Sequence, residues 1–384
     1  MLFVFNSDYV NIYQITASYA SPDSTVAGCR QRDRGKQSIM QAEQLLDPIR
    51  TIHEKIRETV TGVCESSTPG EIAQVLDDGE GDTIYSVDRI SEEMLTHLFE
   101  TELAPHFPVI LIAEGLEGGR VVLPHGTAER EALWRVIADP IDGTRSLMYQ
   151  KRSGWILTGV APNRGENTSL ADIELAVQTE LPLIKQHLCD TLWALRGKGA
   201  RGERFDRIRG VRTPLALAPS KAADLSHGFS SVTRFFSGGR DVLAAIDDEI
   251  ALAAAGPAKP GKVLSFEDQY LSTGGQLYEL IVGHDRFQAD LRPLLGKLLR
   301  ERGLNRSLCC HPYDICTELI AREAGVIISD ENGLPLEAPL NLTADVTWVG
   351  YANTKLRTCI EPLLRKAIAS RQLVSRSSFQ TTGI

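Results

Sequence analysis

Several features are scarce in this sequence, and each absence excludes a class of protein. The 384 residues contain 41 Lys and Arg against 50 Asp and Glu, which gives a net charge of -9. Without a basic excess, we expect no binding to polymeric nucleic acid or to an anionic membrane. No apolar run approaches the length of a membrane span, and residues 1–20 lack the basic start of a signal peptide. We therefore expect a cytoplasmic protein.

Cysteine pairs are also missing. The seven cysteines are odd in number and scattered, and no C-x-x-C motif occurs. This usage is typical of reduced thiols in a reducing compartment. Cys309-Cys310-His311 is the one cluster that suggests a soft metal, but a second ligand pair at zinc spacing does not accompany it.

One stretch concentrates chemistry that the rest of the chain lacks. Hydrophobic residues make up 42% of the sequence, enough for a large core, and the apolar run 134–138 leads into Asp139-Pro140-Ile141-Asp142-Gly143-Thr144. We predict a strand that stops at a turn, followed by a helix that Thr144 caps. Two carboxylates three residues apart can share divalent cations, and the new helix start can receive an anion. An ordinary D-P-x-D-G turn remains the alternative.

Three more carboxylates stand at the ends of predicted elements. Asp88 lies between a strand at 83–87 and a helix at 87–103, Glu114 follows a strand at 108–113, and Asp314 opens a helix that ends at Gly325. Asp88 and Asp314 could simply be a helix-dipole partner and an N-cap. Four separate segments with such carboxylates nevertheless favour one shared cation site.

The D-P-I-D-G-T segment resembles the signature of the inositol monophosphatase superfamily, which includes inositol phosphatases, fructose-1,6-bisphosphatases and 3'(2'),5'-bisphosphate nucleotidases. The resemblance extends, with insertions, from about residue 40 to about residue 366. It implies an α/β fold of the α+β layered kind, an α-β-α-β-α sandwich. We expect a peripheral extension at 1–37, an N-terminal half at 38–158, a C-terminal half at 159–369 and a tail at 370–384.

The resemblance also implies a site for phosphate monoester hydrolysis. Asp88 and Thr144 would activate water, while the amides of Gly143 and Thr144 would bind the phosphate. The implied metal ligands are Glu114, Asp139, the carbonyl of Ile141, Asp142 and Asp314. A set of oxygen ligands without His or Cys favours Mg²⁺, with Mn²⁺ as the alternative, and the family holds two or three such ions. Gly115 stands where the family has a second Glu, which leaves lithium sensitivity and a third ion open.

The substrate is a small phosphorylated metabolite, and its identity is left open. The predicted substrate contacts are Arg145, the wall Ser272-Thr273-Gly274-Gly275, and Ser307, which occupies the position of an acidic residue in inositol enzymes. Arg145 could receive a second phosphate, or belong to a solvated basic rim. The alternatives to an inositol-phosphate-type phosphatase are a bisphosphate nucleotidase, a sugar bisphosphatase and a non-catalytic scaffold. Family members are often homodimers.

Three other regions carry structural predictions. The apolar spacing at 37–64 predicts a helix against a sheet, with a kink or break at Pro48. The glycine-rich loop at 196–202 predicts a hairpin. Prolines and glycines at 207–265 suggest loops around short elements, an embellishment of the core.

Overall fold

A computed structural model describes residues 39–72, 75–77, 84–256, 260–305 and 308–373. The side chains of residues 69, 75–77, 84–88 and 90 lie outside this description. The proposed extension at 1–37 is outside it as well, as is most of the proposed tail. The division of the core near residue 158 stays a prediction.

The described chain contains groups of helices and groups of strands. A helical turn at 39–43 precedes the helices α1 (Leu46–Ser66), α2 (Pro69–Ile72), α3 (Ser86–Leu98), α4 (Thr144–Met148), α5 (Arg240–Ala255), α6 (Thr273–Ile281), α7 (Gly296–Glu301), α8 (Pro312–Ile315), α9 (Glu318–Ala324) and α10 (Thr354–Ser370). Single π or 3-10 turns lie at Phe99–Leu103, Glu117–Gly119, Glu129–Glu131, Leu170–Asp172 and Arg292–Leu295.

The strands form a larger and a smaller sheet plus one short ribbon. They are β1 (Val75–Asp77), β2 (Ile84–Tyr85), β3 (Val109–Ala113), β4 (Arg120–Leu123), β5 (Trp134–Asp142), β6 (Gly154–Pro162), β7 (Leu175–Leu181), β8 (Leu188–Leu195), β9 (Ala200–Asp206), β10 (Val211–Pro214), β11 (Gly228–Val232), β12 (Ser265–Phe266), β13 (Asp285–Asp290), β14 (Ile327–Ser329) and β15 (Trp348–Tyr351). The larger sheet has the order β10-β9-β8-β7-β6-β5-β3-β4, and the smaller one β12-β11-β13-β15-β14. In the larger sheet only β3 and β5 pair in parallel.

The two sheets and their helices stack in five layers. α1 and α3 pack on one face of the larger sheet, α6 and α9 lie between the sheets, and α5 and α10 pack against the outer side of the smaller sheet. Side chains of β5 alternate accordingly, because successive residues of a strand face opposite sides. Val136 and Ala138 join the core under α1 and α3, whereas Ile137 joins the core between the sheets. The α-β-α-β-α layering that the sequence indicated is confirmed.

The outer helical layer was well predicted apart from its break. α1 buries Ile49, Ile52, Ile56 and Val60 at helical spacing. The break comes at residues 44–45, and Pro48 falls in the first turn of α1. Proline is tolerated there because the first amides of a helix have no partner within it.

Two other predictions from the sequence were wrong. The region 207–265 does not consist of loops around short elements, because it contains the 16-residue helix α5 and the strand β11, which pairs in parallel with both β12 and β13. Its prolines and glycines mark the ends of elements, and the prediction did not use the apolar spacing between them. The helix expected from residue 311 to Gly325 is split into α8 and α9 around Cys316 and Thr317. Within the described ranges, no helix is both long and apolar enough to cross a bilayer.

Candidate metal and phosphate site

The end of strand β5 carries the central part of the site. The sequence predicted a turn from Asp139, but the strand continues to Asp142 and bulges on the way. Asp139 pairs with Leu157 and Asp142 pairs with Trp155, so β5 has one residue more than its neighbour over this span. The bulge lets Asp139 and Asp142 reach the same side. Pro140 is tolerated because a bulge interrupts the ladder of hydrogen bonds.

Gly143 connects the bulge to the helix α4. Its φ is +89°, a conformation that residues with a side chain rarely adopt. A Cβ atom there would also lie 3.0 Å from the Cβ of Ser272 and 3.1 Å from the carbonyl of Leu271. Gly143, and not Thr144 as predicted, is therefore the N-cap, and Thr144 is the first residue of the helix.

Asp142 is oriented by the first turn of α6. One of its carboxylate oxygens, Oδ2, accepts hydrogen bonds from the hydroxyl of Ser272 at 2.8 Å and from the amide of Gly274 at 2.6 Å. Ser272 in turn caps this helix, because its Oγ accepts a bond from the amide of Gly275 at 2.8 Å. With Oδ2 held by donors, the other oxygen of Asp142 is left for a cation.

Asp314 reaches the cluster from α8. Its Oδ2 accepts the amide of His311 at 2.6 Å in a capping box, and a ring nitrogen of His311 lies 2.9 Å from the carbonyl of Ala344. Asp314 is thus not the N-cap of the predicted alternative, because His311 holds that position, but as the third residue of α8 it does cap the helix. It uses one carboxylate oxygen, so a capping role and a metal role are compatible.

The three aspartates converge on one point. One carboxylate oxygen from each of Asp139, Asp142 and Asp314 lies within 4.8 Å of the others. Glu114 comes directly after β3, the parallel neighbour of β5, so its backbone lies beside the same strand end. Its charge raises the pKa values of both Asp139 and Asp314. Four carboxylates from three chain segments therefore share one electrostatic environment.

This arrangement is unfavourable without a cation. Burial raises the pKa of Asp139 well above its ordinary value, and the charges of Asp142, Asp314 and Glu114 raise it further. Burial likewise raises the pKa of Asp142 to about 6, although hydrogen bonds from Ser272 and Gly274 act in the opposite direction. Like charges this close cannot all ionise in a buried site unless something compensates them. Oxygen donors grouped in this way fit a hard divalent cation.

Most of the predicted site residues line one cleft with this cluster. The residues concerned are Glu114, Asp139, Ile141, Asp142, Gly143, Thr144, Arg145, Ser272, Thr273 and Asp314. Gly274 and Gly275 lie behind it: the Gly274 amide binds Asp142, and a Cβ atom on Gly275 would lie 2.4 Å from the ring of Tyr270. Their role as a substrate wall stays a prediction. Ser307 lies outside the described residues.

The proposed water-activating pair is described only in part. The hydroxyl of Thr144 donates to the carbonyl of Ile141 at 2.9 Å, which fixes the orientation of both groups. Asp88 is the third residue of α3, at the strand-to-helix junction that the sequence predicted, but its side chain is not among those described. The contact between Asp88 and Thr144 stays a prediction.

Sequence reasoning missed a group of residues at the mouth of the cleft. Arg292 is 5% exposed and forks onto Asp290, with its Nε 2.9 Å from Oδ1. Its guanidinium lies 4.6 Å from the ring centre of Phe235 and 5.2 Å from that of Phe236. The guanidinium of Arg145 lies 5.7 Å from the centre of the Phe236 ring. A charged pair at the end of β13, Asp290 and Arg292, is the signal that could have identified Arg292.

Glu92 is a second cleft residue that the sequence did not single out. Gly115 has a φ of +79°, and a Cβ atom there would lie 1.9 Å from Oε2 of Glu92. The carboxylate of Glu92 therefore takes the space that a side chain at position 115 would need. Glu92 lines the cleft together with Glu114, so the acidic character of this wall persists although residue 115 is a glycine.

Comparison with known sequences finds no match, whereas comparison with solved structures finds proteins of the same fold. No protein-family model and no curated protein sequence matches the chain. The fold matches the Bartonella henselae extragenic suppressor protein suhB with a TM-score of 0.57 at 15% identity, over 84% of this chain and 99% of that one. It matches Leishmania major fructose-1,6-bisphosphatase with a TM-score of 0.60 at 14% identity, over 84% and 93%. It also matches the Thermotoga maritima IMPase, with a TM-score of 0.51 at 16% identity, over 88% and 99%.

The match covers nearly the whole length of each of these three structures. At such low identity the agreement concerns the fold and not the activity. It nevertheless agrees with the resemblance that the D-P-I-D-G-T segment carries, and the cluster of carboxylates lies at that segment. The chain therefore has the fold of the inositol monophosphatase superfamily.

Proposed function

We propose that this protein is a metal-dependent phosphatase that hydrolyses a small phosphate monoester. The observation that supports the proposal best is the convergence of Asp139, Asp142 and Asp314 within 4.8 Å in a buried cleft. Such a cluster is costly for a scaffold without ligands, because desolvation and mutual repulsion both act against it. A site that holds Mg²⁺ or Mn²⁺ removes that cost.

The donor set fits hard cations. Glu114, Asp139, Asp142, Asp314 and the carbonyl of Ile141 would hold two or three ions, and all of them are oxygen donors. When bound, the ions would neutralise the charge of the phosphate, acidify a water molecule and stabilise the departing oxygen.

The remaining residues of the site would position the reactants. The amides of Gly143 and Thr144 stand at the start of α4, where a phosphate oxygen would be stabilised by the helix end. Thr144 would orient the attacking water together with Asp88. As Oγ1 of Thr144 takes a proton from the water, the hydroxyl would pass its own proton to the Asp88 carboxylate, which requires the hydroxyl to turn from the Ile141 carbonyl. Ser272 and the first turn of α6 would keep Asp142 from rotating.

A second candidate is a phosphatase for bisphosphorylated metabolites with the same chemistry. Arg145 and Arg292 line the same cleft as the carboxylates, and the guanidinium of each lies near the Phe236 ring. Arg145 is the candidate to receive a second phosphate, because it is the second residue of α4, next to the amides proposed for the first phosphate. The aromatic pair Phe235 and Phe236 would pack against the sugar or base of such a substrate.

A substrate panel tests both candidates. Phosphate release should be measured with Mg²⁺ for inositol phosphates, sugar phosphates and nucleotides, each monophosphate beside the bisphosphate of the same alcohol. Release from any monoester supports the first proposal, and a higher kcat/KM for the bisphosphates supports the second. No release from any member, under conditions where the protein is folded, would favour a non-catalytic scaffold.

A further inference from the structure

Gln178 is a fully buried polar side chain in the layer between the two sheets. It lies on β7 and is 0% exposed, and its strand neighbours across the sheet are Leu157 and Leu192. Its side chain points to the layer between the sheets, where α6 and α9 pack. Burying an amide is unfavourable unless both its oxygen and its nitrogen find partners. Its partners should therefore explain why the sequence has glutamine here.

The two partners come from different chain segments. Nε2 of Gln178 donates to the carbonyl of Gly274 at 2.7 Å, and Oε1 accepts the hydroxyl of Thr317 at 2.9 Å. A carbonyl can only accept, so the nitrogen must face Gly274 and the oxygen must face Thr317. Thr317 is also 0% exposed, so water does not compete for this bond.

One segment orients a carboxylate of the candidate metal site, and the other carries one. Gly274 donates its own amide to Asp142 at 2.6 Å. Thr317 follows Asp314 by three residues and stands between α8 and α9. One side chain thus connects the start of α6, which orients Asp142, with the segment that presents Asp314.

A role in packing alone does not account for this residue. An apolar side chain of similar volume, such as methionine, would fill the same space without the cost of burying an amide. What methionine cannot do is hold Gly274 and Thr317 at fixed positions relative to the sheet. Partners that orient metal ligands from behind commonly alter metal affinity when they are removed.

We propose that Gln178 is a positioning residue that sets the geometry of Asp142 and Asp314 for the cation. This inference rests on the proposed metal binding. It does not make Gln178 a ligand, because its amide is occupied by Gly274 and Thr317. It predicts that a change at Gln178, which does not line the cleft, weakens metal binding without removing any carboxylate.

Calorimetric titration of the full chain with Mn²⁺, in the absence of substrate, tests the inference. Gln178→Met should weaken Mn²⁺ binding by about tenfold or more. The matched control is Gln288→Met: Gln288 is 1% exposed and also makes two side-chain hydrogen bonds, to Ser231 and Asp285, but in the smaller sheet. It should lower stability and leave Mn²⁺ affinity at the native value.

Thr317 provides a second and milder route to the same answer. Thr317→Val removes only the hydroxyl that Gln178 accepts and should weaken Mn²⁺ binding in the same direction, whereas Thr317→Ser should keep native affinity. Because the two residues act through one connection, the double variant with Gln178→Met should bind Mn²⁺ about as weakly as the weaker single variant. Thr317→Val also keeps the test valid if Gln178→Met does not fold.

The outcomes separate this inference from the proposed function. If the native chain takes up no Mn²⁺, the metal site itself is refuted. If the native chain binds Mn²⁺ and both Gln178→Met and Thr317→Val bind it equally well, the positioning role is overturned and the metal site stands. A loss of affinity in Gln288→Met as large as that in Gln178→Met would also overturn it, since general destabilisation would then explain both.

Discussion

The carboxylate of Asp142 accepts a hydrogen bond from the amide of Gly274 at 2.6 Å, across 132 residues of sequence. The end of β5 and the start of α6 are thereby locked together at the candidate metal site. The contact is close: a Cβ atom on Gly274 would lie 2.6 Å from Cδ2 of Leu157 and 3.0 Å from Oδ2 of Asp142.

The first prediction follows from this close approach. Gly274→Ala should displace either the helix start or the Asp142 carboxylate, and lower turnover by about tenfold or more. The matched control is Gly62→Ala within α1, where an added Cβ atom meets nothing within 4 Å. That variant should raise stability by up to about 1 kcal/mol through helix propensity and leave turnover unchanged. Steady-state kinetics and thermal melts measure both; native turnover in Gly274→Ala would show that this contact is unimportant.

The second prediction concerns pH in the absence of metal. In the folded chain the pKa of Asp142 is raised to about 6, and those of Asp139 and Asp314 are raised as well, so these groups hold protons more tightly than in the unfolded chain. The contribution of Asp142 to stability is present below the ordinary pKa of 3.8 and is lost as the pH rises through about 6, and Asp139 and Asp314 act in the same direction. Bound Mg²⁺ would replace the protons.

Thermal denaturation over this pH range, with Mg²⁺ and with a chelator, measures the effect. The stabilisation by Mg²⁺ should grow as the pH rises from about 4 to about 7, because protons and cations compete for the same oxygens. A stabilisation that does not change with pH would show that the raised pKa values have no link to cation binding.

The third prediction concerns Asp88 and Thr144 as a unit that activates water. Asp88→Asn and Thr144→Ala should each lower the single-turnover rate strongly and leave the metal concentration for half activity nearly unchanged. The double variant should be little slower than the slower single variant. If these residues only stabilise helix ends, each change should cost about 1 kcal/mol, the two costs should add, and the rate per folded molecule should stay native.

The fourth prediction addresses the second phosphate. Arg145→Met keeps the packing volume against Phe236 and removes the charge. If Arg145 receives a second phosphate, kcat/KM should fall by about tenfold for the best bisphosphate and little for its monophosphate. Arg164→Met is a suitable control, since Arg164 is an exposed arginine paired with Asp172 away from the cleft. An equal loss on both substrates would make Arg145 a general contact.

The sequence predicted those parts of the site that follow from local pattern. Glu114 directly follows β3, and the apolar run before it predicts this position. The apolar run of β5 likewise leads into Asp139. The bulge that carries β5 on to Asp142 was missed, because the residues D-P-I-D-G favour a turn when they are judged alone. Register against β6 decided the outcome, and register is a tertiary property.

The residues that the sequence did not reveal act through long-range contacts. Gln178 is one glutamine in an apolar strand, and its meaning depends on Gly274 and Thr317, which only the fold brings near. Arg292 and Phe235 meet because β11 and β13 are neighbours in the smaller sheet, although 207–265 looked like surface loops. Local propensity contains no information about such pairings.

The most direct test of the account is phosphate release by the native chain and by Asp139→Asn, with the best substrate of the panel, in chelator and after Mg²⁺ is restored. The account predicts no activity in chelator and recovery with Mg²⁺. Asp139→Asn should lose at least about a hundredfold in turnover while it stays folded, since it removes a charge shared by the proposed ions. Asp247→Asn, a buried aspartate paired with Arg234 elsewhere, should lose stability and keep its turnover. Full activity in excess chelator, or native turnover in Asp139→Asn, would contradict the account.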